Sequence, residues 1–359
     1  MKHPNKVKVF ATWTDWNVSK VGEYTGVGWY RIVNPLGKIK NVTVESGQGI
    51  VFGGTDSEAM EVAKGLKKKG DVWVSKYVDE PRAVLHLLMA KRAVGAKLVL
   101  DMDDDFWNIN EKNYAYQFHY PGSEKNNALR FLVKEADAII TSTQALADVV
   151  KYWNPSKEVV VIPNTIDPTI WNNPIKKNDT GTVRIGWISS ANHTQDTPEF
   201  IEAMDEVLKK YPQAEFWSLG HWDDIYKALP RVTYVKGTPR YKDFPKFLQE
   251  LGLDISIAPI VSDKFNESKS NIKWMEAAMA GLPTVASNWG PYKDSIEHYK
   301  TGFLAKNKNE WVKYLSWLIE NPEKRQEIAE NAKKEVLESY SVEKHLDKYV
   351  TLFEKLCQK

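Results

Sequence analysis

The sequence predicts an α/β protein made of two doubly wound, Rossmann-like domains that face a central cleft. Three observations lead there. Short continuous apolar runs of strand length recur along the chain, and most are followed by an amphipathic stretch of helical period. Buried parallel strands with covering helices have that pattern. A polar, proline-bearing segment at 172–182 divides the repeats into two series of similar size. The 359 residues also exceed what a single hydrophobic core ordinarily supports.

The first series opens with a strand at 7–11. The glycine-rich stretch VGEYTGVGWYRIVNPL follows, with Gly22, Gly26 and Gly28 ahead of Tyr30 and Arg31. Glycine lets backbone approach a ligand closely, and Arg31 suits a phosphate or a carboxylate. A long loop with Arg31 in a surface pair is the plainer alternative. The spacing is not the GxGxxG dinucleotide fingerprint. Strands are expected at 49–52, 72–75 and 97–100, and helices at 57–69 and 80–94. Pro81 opens the second helix and Gly95 stops it.

The strand at 97–100 runs directly into DMDDDFWNIN. Asp101, Asp103, Asp104 and Asp105 therefore fall at the C-terminal edge of a parallel sheet, where ligands of such folds bind. Three readings fit this cluster: a hard-metal site for Mg²⁺ or Mn²⁺, a carboxylate acting on an acceptor hydroxyl, or an acidic run that complements a helix dipole. An active-site edge, with one or two aspartates touching substrate, is favoured over a required metal. A helix at 128–136, a strand at 138–141, a Thr143-capped helix at 143–152 and a strand at 159–162 lead to PNTID at 163–167.

The second series begins with a strand at 183–188 and the loop SSANHTQD at 189–196. His193 in that loop suits a hydrogen bond to a phosphate or a sugar, against a purely structural histidine. A helix at 197–210, strands at 214–219 and 232–235, a helix at 241–251 and a strand at 254–259 follow. That last strand delivers FNESKSNIKWMEAAMAGLPTVASNWGPY, residues 265–292. It contains a short helix at 271–279, broken by Ala280-Gly281, and an apolar run at 282–286. Ser268, Ser270 and Asn271 precede the helix, with Lys264, Lys269 and Lys273 close by. Polar groups and cations at a helix N-terminus suit an anion, and Glu276, one turn on, suits the hydroxyls of an attached sugar. An ordinary solvated connection with scattered lysines is the alternative. Short segments at 294–298 and 302–304, then helices at 309–320, 322–339 and 342–357, complete the chain.

The net charge is +2, with 27% charged and 42% apolar residues, which argues against a dedicated polyanion binder. The single cysteine, Cys357, excludes an internal disulfide and any multi-cysteine metal site. Neither a signal-peptide core nor a bilayer-spanning segment is evident, so the expected setting is cytoplasmic. The 14 tryptophans and 16 tyrosines suit stacking on sugars or bases, although many belong to a core.

Several of these stretches resemble one family. PNTID, GWISSANHTQD at 186–196, KSNIKWMEAAMAGLPTVASNWGPY at 269–292 and TGFL at 301–304 are similar to motifs of GT-B glycosyltransferases in the retaining group known as family 4 or group 1. GVGWYRIVNP and DMDDDFW resemble the acceptor-side loops of a Trp-rich branch of that group. The resemblance spans nearly the whole chain and is most specific in the 269–292 stretch. It implies an acceptor-side domain at 1–172, a donor domain at 181–340 and a final helix, 341–359, packing back on the first.

The chain also departs from the family pattern. The group's donor helix carries two glutamates eight positions apart. Glu276 matches the second, which is expected on the nucleotide ribose, but Ser268 stands where the first would be. The SSANHTQD loop lacks the group's Arg and Lys, so Lys269 and Lys273 are the cations left to hold a diphosphate.

The resulting expectation is a glycosyltransferase that moves a sugar, with retention, from a UDP- or GDP-sugar to an acceptor hydroxyl without a required cofactor or metal. The donor side is assigned Ser190, His193, Ser268, Lys269, Asn271, Lys273 and Glu276. The acceptor side is assigned Gly28, Tyr30 and Arg31, and the chemistry Asp103, Asp104 and His193. A glycan, a wall polymer, a lipid-linked sugar, a protein or a modified nucleic acid would each serve as acceptor. A nucleotide-sugar epimerase and a non-catalytic nucleotide-sugar binder are the alternatives on the same fold.

Overall fold

The computed structural model describes residues 7–13, 26–46, 55–189, 191–220, 222–237, 239 and 241–358. Among the described residues twelve strands form two six-stranded sheets, and every strand pair is parallel. The first sheet holds β1 (Val9–Trp13), β2 (Val42–Ser46), β3 (Val72–Lys76), β4 (Lys97–Met102), β5 (Ala138–Thr141) and β6 (Val159–Val161), in the order β2-β1-β3-β4-β5-β6. The second holds β7 (Val183–Ile188), β8 (Ala214–Leu219), β9 (Val232–Val235), β10 (Ile255–Ala258), β11 (Thr284–Ser287) and β12 (Phe303–Ala305), in the order β12-β11-β10-β7-β8-β9. The central strands are apolar on both faces because helices cover both sides. Val72, Trp73 and Val74 of β3 and Leu98, Val99 and Leu100 of β4 are all fully buried.

Two elements differ from the sequence expectation. The glycine-rich stretch is helical from Gly26 to Gly37, with a π-helical turn at Trp29–Val33. WYRIV carries enough apolar bulk to bury Tyr30 and Ile32, and Pro35 sits where a new helical turn begins and no N–H is needed. The edge strand next to β1 is VTVES at Val42–Ser46. The strand expected at 49–52 lies outside the described residues.

The chain crosses between the two sheets twice, and the crossings are tied together. The Ile166 N–H donates to the Tyr340 carbonyl at 2.8 Å, and the Val342 N–H to the Ile166 carbonyl at 2.9 Å. The Leu346–Gln358 helix buries Tyr349, Leu352, Phe353 and Leu356 in one cluster with Val9, Ala11, Val74 and Ile140 of the first sheet. Among the described residues no helix is long and apolar enough to cross a membrane.

Candidate active site

Strand order in the second sheet reverses direction between β7 and β10, and open parallel sheets bind ligands outside the carboxyl ends of strands at such a switch point. The 189–196 connection leaves β7 there, and the 259–271 connection leaves β10. Asp196 joins them, its Oδ1 accepting the Val261 N–H at 3.0 Å. Burial raises the Asp196 carboxyl to about 6, while the Val261 N–H, Lys273 and Lys269 pull it the other way. In the sequence Asp196 stands out only as the end of the SSANHTQD loop. Its burial, its bond to Val261 and its place in the 3-10 helix Ala191–Glu199 have no local sequence signal.

The helix Ile272–Met279 starts at this point. Trp274, Met275 and Ala277 through Met279 are buried, and Trp274 Nε1 donates to the Thr301 carbonyl at 3.0 Å, tying the helix to the TGFL strand. The helix ends where Gly281 takes the left-handed conformation at φ 74°, one that a side chain disfavours. At its start Asn271 turns its amide onto Ser295 Oγ at 2.8 Å, so no side chain caps the first turn. Lys273 Nζ donates to the Ile188 carbonyl, the last residue of β7, at 2.8 Å. Burial pulls the Lys273 ammonium down to about 8, against the carboxylates of Glu276 and Asp196.

First-domain residues close over this point. Tyr30 donates its hydroxyl to Glu276 Oε1 at 2.5 Å, with both side chains buried. Burial pushes Glu276 up to about 7, while the Tyr30 hydrogen bond and Lys273 favour its ionised form. Lys269 Nζ meets Asp104 Oδ1 at 2.6 Å and lies 4.3 Å from the Phe265 ring centre. Thr143 Oγ1 donates to the Ser268 carbonyl at 2.9 Å, and Asn164 Nδ2 to Ser270 Oγ at 2.8 Å. Asn164 comes from PNTID, and its role at the domain seam needs the partner domain to be seen.

The four aspartates separate by partner. Asp101 holds Arg31 through two hydrogen bonds, 2.8 Å to Nε and 2.7 Å to Nη2. Asp105 accepts Trp107 N–H and Asn108 Nδ2, which folds the turn after the sheet edge. Asp104 pairs with Lys269. Asp103 lies 3.8 Å from Lys76 Nζ, its buried Oδ1 without a hydrogen-bond partner, and burial raises its carboxyl above the usual range. Among the described residues no group of three or more His, Cys, Asp or Glu side chains is placed to hold a metal ion.

Of the residues assigned from sequence, Ser268, Lys269, Asn271, Lys273 and Glu276 lie together on one connection and helix, with Asp104 and Tyr30 against them. Gly28 is buried inside a helical turn. Arg31 requires a correction. Its side chain is fully buried and its guanidinium is engaged by Asp101 and the Ile162 carbonyl, so it cannot reach a substrate from the cleft. Ser190 lies outside the described residues, and so does the side chain of His193.

Residues 172–335 match the family described as glycosyl transferases group 1. Trehalose synthase of Thermococcus litoralis is 29% identical over 99 residues, or 28% of this chain and 23% of that protein. The chain thus aligns with less than a quarter of that relative's length. The structure of HepE from Anabaena, in complex with UDP and glucose, matches with a TM-score of 0.67 at 15% identity, covering 98% of this chain and 100% of that one. A TarM variant of S. aureus, in complex with Fondaparinux, alpha-GlcNAc-glycerol and UDP, matches with a TM-score of 0.63 at 18% identity, covering 81% of this chain and 58% of that one. This chain therefore has the GT-B fold, and its residues 172–335 are similar to the glycosyl transferases of group 1.

Proposed function

We propose that the protein moves a sugar from a nucleotide-diphosphate-sugar, held at the Ile272–Met279 helix, to an acceptor hydroxyl at the edge of the first sheet. One observation carries this reading: Lys269 and Lys273 stand beside an uncapped helix N-terminus at the switch point between β7 and β10. Cations and a helix dipole at that place favour a diphosphate both when it binds and when it leaves. Glu276, one turn along, receives the ribose hydroxyls. Ser190, His193, Ser268 and Asn271 complete the donor side. Asp103 and Asp104 face the acceptor, and the chemistry needs no metal. The UDP in the HepE and TarM structures supports a nucleotide donor, and the family supports retention.

In the structure Tyr30 occupies the Glu276 carboxylate and Asp104 occupies Lys269. A donor using those groups displaces both contacts, which separates the domains locally before the complex closes.

A panel of UDP- and GDP-sugars, read by thermal stabilisation and then by product analysis, tests the proposal. A donor present at about 100 times its Kd adds roughly 2.7 kcal/mol of stability. One donor stabilising the protein and losing its sugar to an acceptor supports transfer, and the anomeric proton of the product reports retention. Conversion of donor alone into an epimer, or stabilisation without any turnover, would replace this reading with one of the two alternatives.

A further inference from the structure

The stretch after the acidic cluster carries four aromatic residues at every second position: Tyr114, Tyr116, Phe118 and Tyr120. Tyr114, Phe118 and Tyr120 are 66%, 41% and 48% exposed. Tyr114 and Phe118 stand edge to face with ring centres 5.8 Å apart, and Tyr116 and Tyr120 are 6.5 Å apart. Burying a side chain of this size is worth about 1.5–3 kcal/mol, so folding alone gives no reason to leave Tyr114, Phe118 and Tyr120 in water.

The base beneath them is fixed. His119 is buried against Asp79, Nε2 to Oδ2, at 3.1 Å. Asn126, fully buried, donates to the carbonyls of Phe106 and His119, both at 3.1 Å. Ser123 Oγ donates to the Phe118 carbonyl at 3.0 Å. The rings are therefore displayed by a braced helical turn, Tyr116–His119, and the residues flanking it.

The segment just ahead of it, 106–110, meets the second domain. Asn110 Nδ2 reaches Asp263 of the second domain at 3.2 Å. Phe106, Trp107 and Ile109 share a cluster with Phe265, which lies four residues before Lys269.

We infer that the Tyr114–Tyr120 loop is an acceptor subsite that stacks the rings of an extended, uncharged saccharide chain leading into the cleft. This rests on the transferase reading above and names its acceptor class. Aromatic faces bind the apolar faces of sugar rings, while Tyr hydroxyls, Glu111 and Gln117 at the margin supply hydrogen bonds to sugar hydroxyls. Charge decides between this occupant and a membrane. Glu111 and Glu124 balance Lys112 and Lys125, and the Lys125 ammonium is shared between Asp79 and the Phe118 ring. An anionic lipid surface calls for a cationic excess that this patch lacks.

The test compares wild type with Y114A, F118A and the double variant, using soluble oligosaccharides of the α-glucan, β-glucan, chitin and mannan types. Vesicles of equimolar phosphatidylcholine and phosphatidylglycerol form a separate arm. UDP binding is measured by calorimetry in every sample. The expected result is that wild type binds at least one oligosaccharide, that the double variant binds it about tenfold more weakly or not at all, and that UDP affinity is unchanged. Absence of oligosaccharide binding by wild type, or equal binding by the double variant, overturns the subsite. Vesicle binding that depends on Tyr114 and Phe118, without oligosaccharide binding, overturns it in favour of a membrane contact. Failure of UDP to bind wild type is a separate failure, that of the transferase reading itself.

Discussion

The Tyr30 hydroxyl and the Glu276 carboxylate, 246 positions apart in sequence, meet at 2.5 Å across the two domains. The carboxylate assigned to the donor ribose is thus already hydrogen-bonded by a residue of the opposite domain. Tyr30→Phe removes that donor and leaves a buried acceptor unsatisfied, at a cost of about 1–3 kcal/mol. The expected outcome is a lower melting temperature with UDP affinity equal to wild type or tighter, since the ribose no longer competes with Tyr30. Melting curves and calorimetry check it together. Weaker UDP binding would show that Tyr30 supports the donor site.

Lys269 and Asp104 form the second contact across the seam. Their side chains are 25% and 28% exposed, so the pair adds only about 0–1 kcal/mol to stability. Its importance lies in what it occupies. Lys269→Ala is expected to weaken UDP binding by about tenfold, the loss of a charge-assisted contact. Asp104→Asn frees the lysine and is expected to leave UDP affinity unchanged or tighter while lowering transfer. A matching loss of UDP affinity in both variants would contradict these separate roles.

The pH dependence follows from two neighbours shifted toward each other. As the proposed ribose contact Glu276 would accept hydroxyls best when ionised, above about 7, and as the proposed phosphate contact Lys273 would act only when protonated, below about 8. Donor affinity is therefore expected to peak between those values, and Glu276→Gln is expected to remove the acid limb. Stability runs the other way. Between 4.5 and about 7 the folded state holds the Glu276 proton that the unfolded chain releases, so stability falls as pH rises there. Between about 8 and 10.5 the folded state has lost the Lys273 proton that the unfolded chain keeps, so stability rises with pH. Calorimetric titration and chemical denaturation across pH measure the two profiles. An affinity that is flat from pH 6 to 9 would contradict the assignment.

Arg31 and Asp101 form a fully buried, doubly hydrogen-bonded pair. Asp101→Ala strands the guanidinium inside the first domain and is expected to destabilise it by about 3–5 kcal/mol. Replacing both residues with apolar side chains of similar volume is expected to cost less than Asp101→Ala alone. Denaturant midpoints of the two variants decide it, and equal losses would contradict the account.

Chelation tests the proposed metal independence. Transfer is expected to persist unchanged in EDTA, and recovery only on adding Mn²⁺ or Mg²⁺ would show that the acidic cluster takes a metal during turnover.

Much of the fold is legible because the central parallel strands are continuous apolar runs and several covering helices have marked starts, as at the Thr143 cap and at Pro81 in the first turn of its helix. The Ile272–Met279 helix, proposed to hold the donor, is legible because Lys269, Lys273 and Glu276 lie within eight residues, so local spacing brings them together. What escapes the sequence is what arrives from far away. Arg31 looks like a surface cation until Asp101, 70 positions on, is seen beside it. Gly22, Gly26 and Gly28 suggest a loop, yet the apolar WYRIV that follows them buries its face and coils the segment from Gly26 onward. Asp196 depends on the Val261 N–H of a different strand connection. For Arg31 and Asp196 the deciding partner lies on another element.

The central claim is that the nucleotide binds at the Ile272–Met279 helix. Calorimetric titration of UDP and GDP into wild type, Lys273→Ala and Glu276→Gln tests it most directly. The account predicts that wild type binds one nucleotide at one site and that each variant loses about tenfold or more in affinity. Unchanged affinity in both variants would contradict it.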